Sequence, residues 1–342
     1  MTWNKSSSYK KMDTCSFKIA AAIFSYWTVS TGMVFVNKQL VQLTPKDLSL
    51  FIVWFQCVFG ALCLYLISQL SRNWNGNIGP SLYLHKHHLI QRDMIISSIT
   101  FISALTFNSV LLKYISISFY QIARSLTIIF VIVLSAIVLQ QKVGLRVLLA
   151  CVLIILGFYI GVHEEIQQYG LQVVGVFYGG VTSFFSALSS TVCKKCQKEN
   201  SVSSLQLTYI VFTIGCIILT PLVLVTSQLE SALYLQVDQT YFWCLLFLSG
   251  LCCLLVGWIS TLQITLTSPL TYIISTNSKS VIQTLLAVFW NKEAKNLFWW
   301  LGNVFVLSGI VLYAIFNHKE SQKSDKERFI QKTNCSGIEK KR

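Results

Sequence analysis

Two cations stand where a cation is hard to keep. Lys279 lies near the middle of the apolar stretch from Ser268 to Phe289, and Arg124 lies inside the apolar run from about 118 to 139. A charge at mid-membrane costs roughly 2.5 to 3.5 kcal/mol on insertion scales, so an intramembrane cation marks a functional site by default. Of the 13 acidic residues none falls deep in an apolar run; Asp47 and Asp93 sit at helix starts. The buried charge is therefore unbalanced and positive, which is unfavourable unless water or an anion compensates it. The chemistry on offer is anion binding, with Arg forking across two oxygens and Lys acting as a point charge. In the opposing reading one or both cations snorkel to an interface.

Helical spacing extends the site. Counting by threes and fours from Lys279 reaches Tyr272, Ser275, Thr276 and Gln283, a polar stripe on one face. The same rule around Arg124 reaches Tyr120, Gln121 and Thr127. Other polar groups in apolar runs could line one cavity with them: Thr28, Ser30, Thr31, Gln56, Asn108, Tyr209, Thr213, Ser260, Thr261 and Gln263. Each alone fits a helix-to-helix hydrogen bond equally well.

The elements that carry these residues are read from hydrophobic patterning. The chain has 342 residues, 54% hydrophobic and 12% charged. A soluble domain has about twice that charge density, so this is an all-α, polytopic membrane protein. Ten apolar runs have the roughly 20 residues needed to cross hydrocarbon: about 18 to 37, 47 to 70, 93 to 112, 118 to 139, 144 to 163, 171 to 193, 203 to 226, 240 to 264, 268 to 290 and 296 to 317. Ten spans divide into two fives, and an odd number per half inverts the second half relative to the first. The expected organisation is a segment 1–17, a first five-helix repeat 18–163, an inverted second repeat 171–317 and a basic, disordered tail 318–342. Arg124 in span four and Lys279 in span nine are equivalent under that division. The Lys279 helix is well started, with Ser268 as a cap and Pro269 at the first helical position.

The net charge of +14 comes from short loops and tails flanking the spans. That is membrane topology rather than a nucleic-acid stripe. The side shared by both termini holds four-fifths of the loop Lys and Arg, so both termini are expected in the cytosol. The sequons at Asn4 and Asn334 then carry no glycan. The first run lacks a cleavage site, ends in Asn37-Lys38 and reads as a signal anchor.

Catalytic chemistry finds no foothold. His85, His87, His88, His163 and His318 all lie in loops or at span ends. Cys193-Lys-Lys-Cys196 is one metal-like pair without a second, so no four-ligand zinc site closes and no metal or cofactor is expected. Gly157-xxx-Gly161 and Gly175-xxx-Gly179 read as close-packing faces, and Glu164-Glu165 as solvated loop residues. The chain is not read as an enzyme.

The run FNSVLLKYISISFYQIARSLT (Phe107 to Thr127), the segment LQITLTSPLTYIISTNSKSVIQTLLAVF (Leu262 to Phe289) and FVNKQL (Phe35 to Leu40) resemble the nucleotide-sugar transporters of the drug/metabolite transporter superfamily, the Golgi GDP-fucose transporters above all. The likeness spans roughly residues 20 to 317. It implies a ten-helix antiporter of the Golgi membrane, with the endoplasmic reticulum as the other candidate location, importing a nucleotide sugar and exporting a nucleoside monophosphate such as GMP. In that family a basic residue in span four and a lysine in span nine face the phosphates, matching Arg124 and Lys279. Guanine-selecting relatives carry Phe-Tyr-Asn-Asn in span seven where this chain has Tyr209-Ile210-Val211-Phe212, and of a Gly-Ala-Leu-Asn-Lys motif only Lys279 stays in place. Loss of the two amides removes groups that could read a base. Tyr120, Tyr272 or Tyr209 could stack one or hydrogen-bond a sugar. The remaining expectations are a bilayer but no nucleic acid as partner and a homodimer as a candidate assembly. The rival readings are a carrier of another nucleotide sugar, a carrier of small phosphate esters or other organic anions, and a non-transporting membrane regulator.

Overall fold

The computed structural model describes residues 3–44, 47–74, 91–138, 144–169, 173–200, 202–234, 239–267, 269–291, 296–313 and 315–316, with backbone alone at 3–17 and 71–74. Ten long helices follow one another among the described residues. They are α1 (Trp3–Leu43), α2 (Ser49–Trp74), α3 (Arg92–Tyr114), α4 (Ile117–Val138) and α5 (Leu145–Tyr169), then α6 (Val173–Asn200), α7 (Ser204–Val225), α8 (Gln239–Leu266), α9 (Pro269–Asn291) and α10 (Leu297–Tyr313). A six-residue helix, Gln228–Leu233, lies between α7 and α8. Seven of the described helices hold a stretch long and apolar enough to cross a membrane, and Ile122–Leu134 and Leu297–Tyr313 are shorter apolar stretches. The chain is an all-helical, multi-pass membrane protein. The stretch 75–90, the tail from 317, Ser268 and the Asn334 sequon lie outside the described residues, as does the Asn4 side chain.

Burial is arranged for lipid rather than water. Phe24, Ile137, Leu145, Phe177 and Phe289 point outward, while Gln56, Ser98, Ser125, Thr191, Ser249 and Gln283 are buried. In hydrocarbon an exposed apolar side chain costs nothing, and polar groups must find one another inside the bundle. Gln56, for example, donates from Nε2 to Ser249 Oγ (2.6 Å) and to Asn37 Oδ1 (3.2 Å), and Ser249 donates to Asn37 Oδ1 (2.6 Å), tying α2, α8 and α1 together.

That rule corrects three boundaries. The helix carrying Asn37 and Lys38 does not end there but runs to Leu43, because both side chains are satisfied by neighbouring helices. Glu164 and Glu165 are not solvated loop residues: they lie within α5 and are buried. Glu165 accepts from Ser116 Oγ at 2.7 Å and Glu164 from Asn296 Nδ2 at 3.3 Å. α6 likewise continues through Cys193 and Lys194 to Asn200. Cys193 and Cys196 themselves are buried in an apolar cluster with Met94, and Cys196 Sγ lies 3.2 Å from Met94 Sδ.

Local chemistry sets several ends. Ser203 caps α7 in a reciprocal box with Gln206. Before α2, Asp47 accepts from the Ser49 amide (3.1 Å) and hydroxyl (2.7 Å) and pairs with Lys113 at 3.6 Å. Burial disfavours the charged form of Asp47, but the Ser49 bonds and the Lys113 charge outweigh it and hold the carboxyl below its ordinary range. A depressed carboxyl stabilises the fold above its unfolded pKa and loses that contribution as pH falls through the folded value, so this brace is intact at neutral pH.

α1 packs along α8 as α3 packs along α6, and α2 packs on α7. α4 sits between α6 and α9. Its seam with α6 is tight: a Cβ at Gly179 would meet Ala123 Cβ at 3.0 Å, and Ser183 Oγ donates to the Ala123 carbonyl at 2.8 Å. α1 and α9, by contrast, approach through long side chains, with few close backbone contacts. α5 and α10 cross at Gly157 and Gly302, where a Cβ on Gly157 would stand 2.6 Å from the Gly302 carbonyl oxygen and 2.7 Å from the Val306 amide nitrogen. Neither backbone atom can yield without separating the helices. Gly157→Val is therefore expected to destabilise by about 1–3 kcal/mol, read as a lower Tm of the purified protein. Gly32→Ala, where a Cβ meets nothing within 4 Å, should leave the Tm in place.

Candidate functional site

The site is built where α4, α9, α1 and α3 meet. Lys279, on α9, is 2% exposed and donates from Nζ to Ser30 Oγ of α1 at 2.6 Å. It also lies 5.6 Å from the centre of the Tyr26 ring, a cation–π contact. One turn along the same seam, Trp27 Nε1 donates to Ser275 Oγ at 3.1 Å. The Tyr26 and Tyr272 hydroxyls stand 3.1 Å apart, their rings edge to face.

Arg124, on α4, donates from Nη1 to the Tyr120 hydroxyl at 2.9 Å and stacks on that ring at 5.6 Å. Tyr120 in turn donates to Asn108 Oδ1 of α3 at 2.6 Å. This chain of bonds holds the guanidinium by one edge. Arg124 and Lys279 lie within Coulombic reach of one another, and Arg124 within reach of the Tyr26 and Tyr272 hydroxyls. Lys113–Asp47 and Lys195–Glu199 form ion pairs, and neither involves these two cations. Their partners are neutral hydroxyls and rings, which direct the side chains without cancelling the charge.

Two further groups are buried without a hydrogen-bond partner. Gln283, fully buried one turn beyond Lys279, has both amide atoms unmet, and Thr127, one turn beyond Arg124, has its hydroxyl unmet. Thr276 shares the Lys279 face and is buried. An unmet buried amide costs about 1–3 kcal/mol, and such atoms beside two cations are positioned to take up a polar ligand.

The same residue pattern appears twice. Tyr272 and Ser260 lie 152 residues after Tyr120 and Asn108, so a tyrosine and a small polar residue recur at the same spacing on the helices that follow one another in each half. At this register the counterpart of Lys279 is Thr127, so the two cations are one turn out of strict equivalence.

Several expected residues lie elsewhere. Tyr209 packs in the apolar cluster of α2, α3 and α7 and has Tyr65 as a neighbour. Thr28 is exposed and bonds back to the Phe24 carbonyl. Thr261 serves the α7–α8 contact through Thr208. The Gln121 side chain lies outside the described residues. Sequence reading missed Tyr26 and Trp27, although aromatic side chains with a polar edge beside Ser30, deep in a span, were the available signal.

Comparison with known proteins places this geometry in context. The model of the Triose-phosphate Transporter family matches residues 17–314, nearly the whole helical bundle. The chain belongs to this family. Its members are transporters, not enzymes. Among curated relatives, GDP-fucose transporter 1 of Monosiga brevicollis is 34% identical over 90% of this chain and 92% of its own. GDP-fucose transporter 1 of Mus musculus is 32% identical over 91% and 86%. The Drosophila melanogaster protein named "GDP-fucose transporter, Golgi" is 30% identical over 91% and 93%. A solved crystal structure superposes with a TM-score of 0.54 at 13% identity, covering 90% of this chain and 98% of that one, a likeness of fold alone.

If the two cations are stabilised by a bound anion, ligand and mutation should act on the same quantity. GDP is expected to raise the Tm of the wild-type protein, since a ligand that binds only the folded state stabilises it. Lys279→Met removes an uncompensated buried charge and is expected to raise the Tm without ligand while abolishing the shift with GDP. Both values are read in one thermal-unfolding series.

Proposed function

We propose that this chain is a Golgi antiporter that carries GDP-fucose inward in exchange for GMP. The observation that carries the reading is the pair of a buried Lys279 and a partly buried Arg124, with no carboxylate bonded to either among the described residues, beside unmet amide and hydroxyl groups. A diphosphate brings two negative charges to that pair. Arg124 has guanidinium nitrogens beyond the one bound to Tyr120 and can fork across phosphate oxygens; Lys279 serves as a point charge. The names of the curated relatives support GDP-fucose as the substrate and the Golgi as the membrane.

The geometry supports a division of labour. Gln283 and Thr127, one turn past each cation, are suited to hydroxyl or base edges. Tyr26 and Tyr272, edge to face with their hydroxyls 3.1 Å apart, stand beside the cations and can offer a ligand an aromatic face and a hydroxyl. Tyr120 and Asn108 hold Arg124 in place, and Ser275 holds Trp27. Tyr209 packs on an apolar cluster with Phe212 instead, and the span-seven amides are replaced, so base reading in this chain falls to other groups.

Exchange follows from electrostatics. An empty cavity that closes confines two like charges in a low dielectric, whereas one holding a monophosphate does not. The return stroke is thus favoured with product bound. The two halves, 18–163 and 171–317, act as inverted repeats with the site between them, the arrangement of alternating-access carriers. The parallel capping of α3 by Lys38 and of α8 by Lys194 supports that division.

The test is uptake of labelled GDP-fucose into liposomes holding the purified protein and preloaded with GMP. The expected result is uptake that requires trapped GMP and falls at least tenfold in Arg124→Ala and Lys279→Ala. Uptake of UDP-sugars or small phosphates instead, blocked by the same substitutions, would move the substrate; uptake unaffected by Lys279→Ala would overturn the site.

A further inference from the structure

Lys38 and Lys194 have no part in the site, yet both are cations drawn inward from helices they were expected to end. Lys38, on α1, donates from Nζ to the Leu112 carbonyl at 2.5 Å and the Ile115 carbonyl at 2.7 Å. Lys194, on α6, donates to the carbonyls of Ile264 (2.7 Å), Thr265 (3.1 Å) and Thr267 (3.0 Å). Each lysine thus occupies the C-terminus of a helix two places further along: α3 for the first, α8 for the second. Those termini carry the carbonyls that a helix leaves unbonded and the negative end of its dipole.

The correspondence goes down to single atoms. The Ile115 amide closes the last turn of α3 on the Leu111 carbonyl, and the Thr267 amide closes that of α8 on the Gln263 carbonyl. Leu111, Leu112 and Ile115 become Gln263, Ile264 and Thr267 at the 152-residue register that relates Tyr120 to Tyr272. Lys194 follows Lys38 by 156 residues, one turn more. The two bonded groups lie at opposite ends of the bundle, since α3 and α8 end on opposite sides. Beyond each begins the helix that carries a site cation: α4 follows α3 after Ile115 and Ser116, and α9 follows α8 after Thr267 and residue 268.

We infer that Lys38 and Lys194 are a pseudo-symmetric pair of gate latches, one at each mouth of the carrier. Lys38 fastens the α3–α4 turn to α1 and closes one mouth; Lys194 fastens the α8–α9 turn to α6 and closes the other. With both engaged the cavity is shut on both sides, and each half-cycle releases one lysine into water while the other holds. Both side chains are half-buried, close enough to solvent for the ammonium to be hydrated when it lets go. Each lysine bonds backbone carbonyls, so the latch draws on the charge and reach of the lysine. The inference rests on the chain being a carrier and not on which nucleotide it carries.

The test is hydrogen exchange of the purified protein in lipid nanodiscs without any nucleotide. Lys38→Met is expected to speed exchange of the α3–α4 turn amides at least tenfold and leave the α8–α9 turn unchanged. Lys194→Met should do the reverse, and Arg at either position should restore protection. Lys38→Gln and Lys194→Gln, which keep a shorter neutral donor, give the same reading in milder form if a methionine variant does not fold. Unchanged exchange in the variants, or equal acceleration at both ends with a lowered Tm, would overturn the latch and leave two ordinary structural bonds. Because no substrate is used, a wrong substrate assignment would leave this result untouched.

Discussion

The structure depends on positive charge held where its compensation is not supplied by the chain. Arg124 and Lys279 are directed by hydroxyls and aromatic faces, and no carboxylate among the described residues pairs with them. In a low dielectric such a pair is unfavourable by itself, so the rest of the bundle must be rigid enough to impose it. The imposed geometry is visible at both cations. Asn108 and Tyr120 form a bonded arm behind the guanidinium, and Ser30 and Tyr26 form a cradle for the ammonium. On the reading proposed above, an anion that enters relieves this repulsion, and its binding can drive a conformational change.

Two seams of the bundle are packed asymmetrically. α4 meets α6 at the level of Cβ and backbone atoms, through Ala123, Gly179 and Ser183. The related contact of α9 with α1 is spaced by Tyr26, Trp27 and Tyr272. Large polar aromatics fill the second seam and small residues the first, although the same element pairing underlies both. Long side chains can re-pair as helices tilt, whereas a backbone contact can only hold or break. The wider seam is also the one in which Lys279 is found.

Polar residues at helix ends extend the same logic to the edges of the membrane. Asn37, Glu164 and Glu165 look like termination signals, yet the helices run on past them because each finds a partner on a neighbouring helix. The Asp47–Lys113 pair and the Ser116–Glu165 bond both bind the α3–α4 turn, so that turn is held from three sides once Lys38 is included.

The sequence by itself determined the class of the protein, an all-helical membrane bundle, and marked two cations inside apolar runs, because hydrophobic runs and a charge within them carry their meaning locally. The likeness of Phe107 to Thr127 and Leu262 to Phe289 to nucleotide-sugar transporters was legible for the same reason. Tertiary structure alone decided which polar groups face the cations. Tyr26 and Trp27 are near the site only because α1 lies beside α9, and Tyr209 is away from it because α7 turns that face to α2. It also decided that Lys38 and Lys194 are bonds and not loop charges. A side chain's partner in a membrane bundle belongs to a helix distant in sequence, and no local pattern records which one it will be.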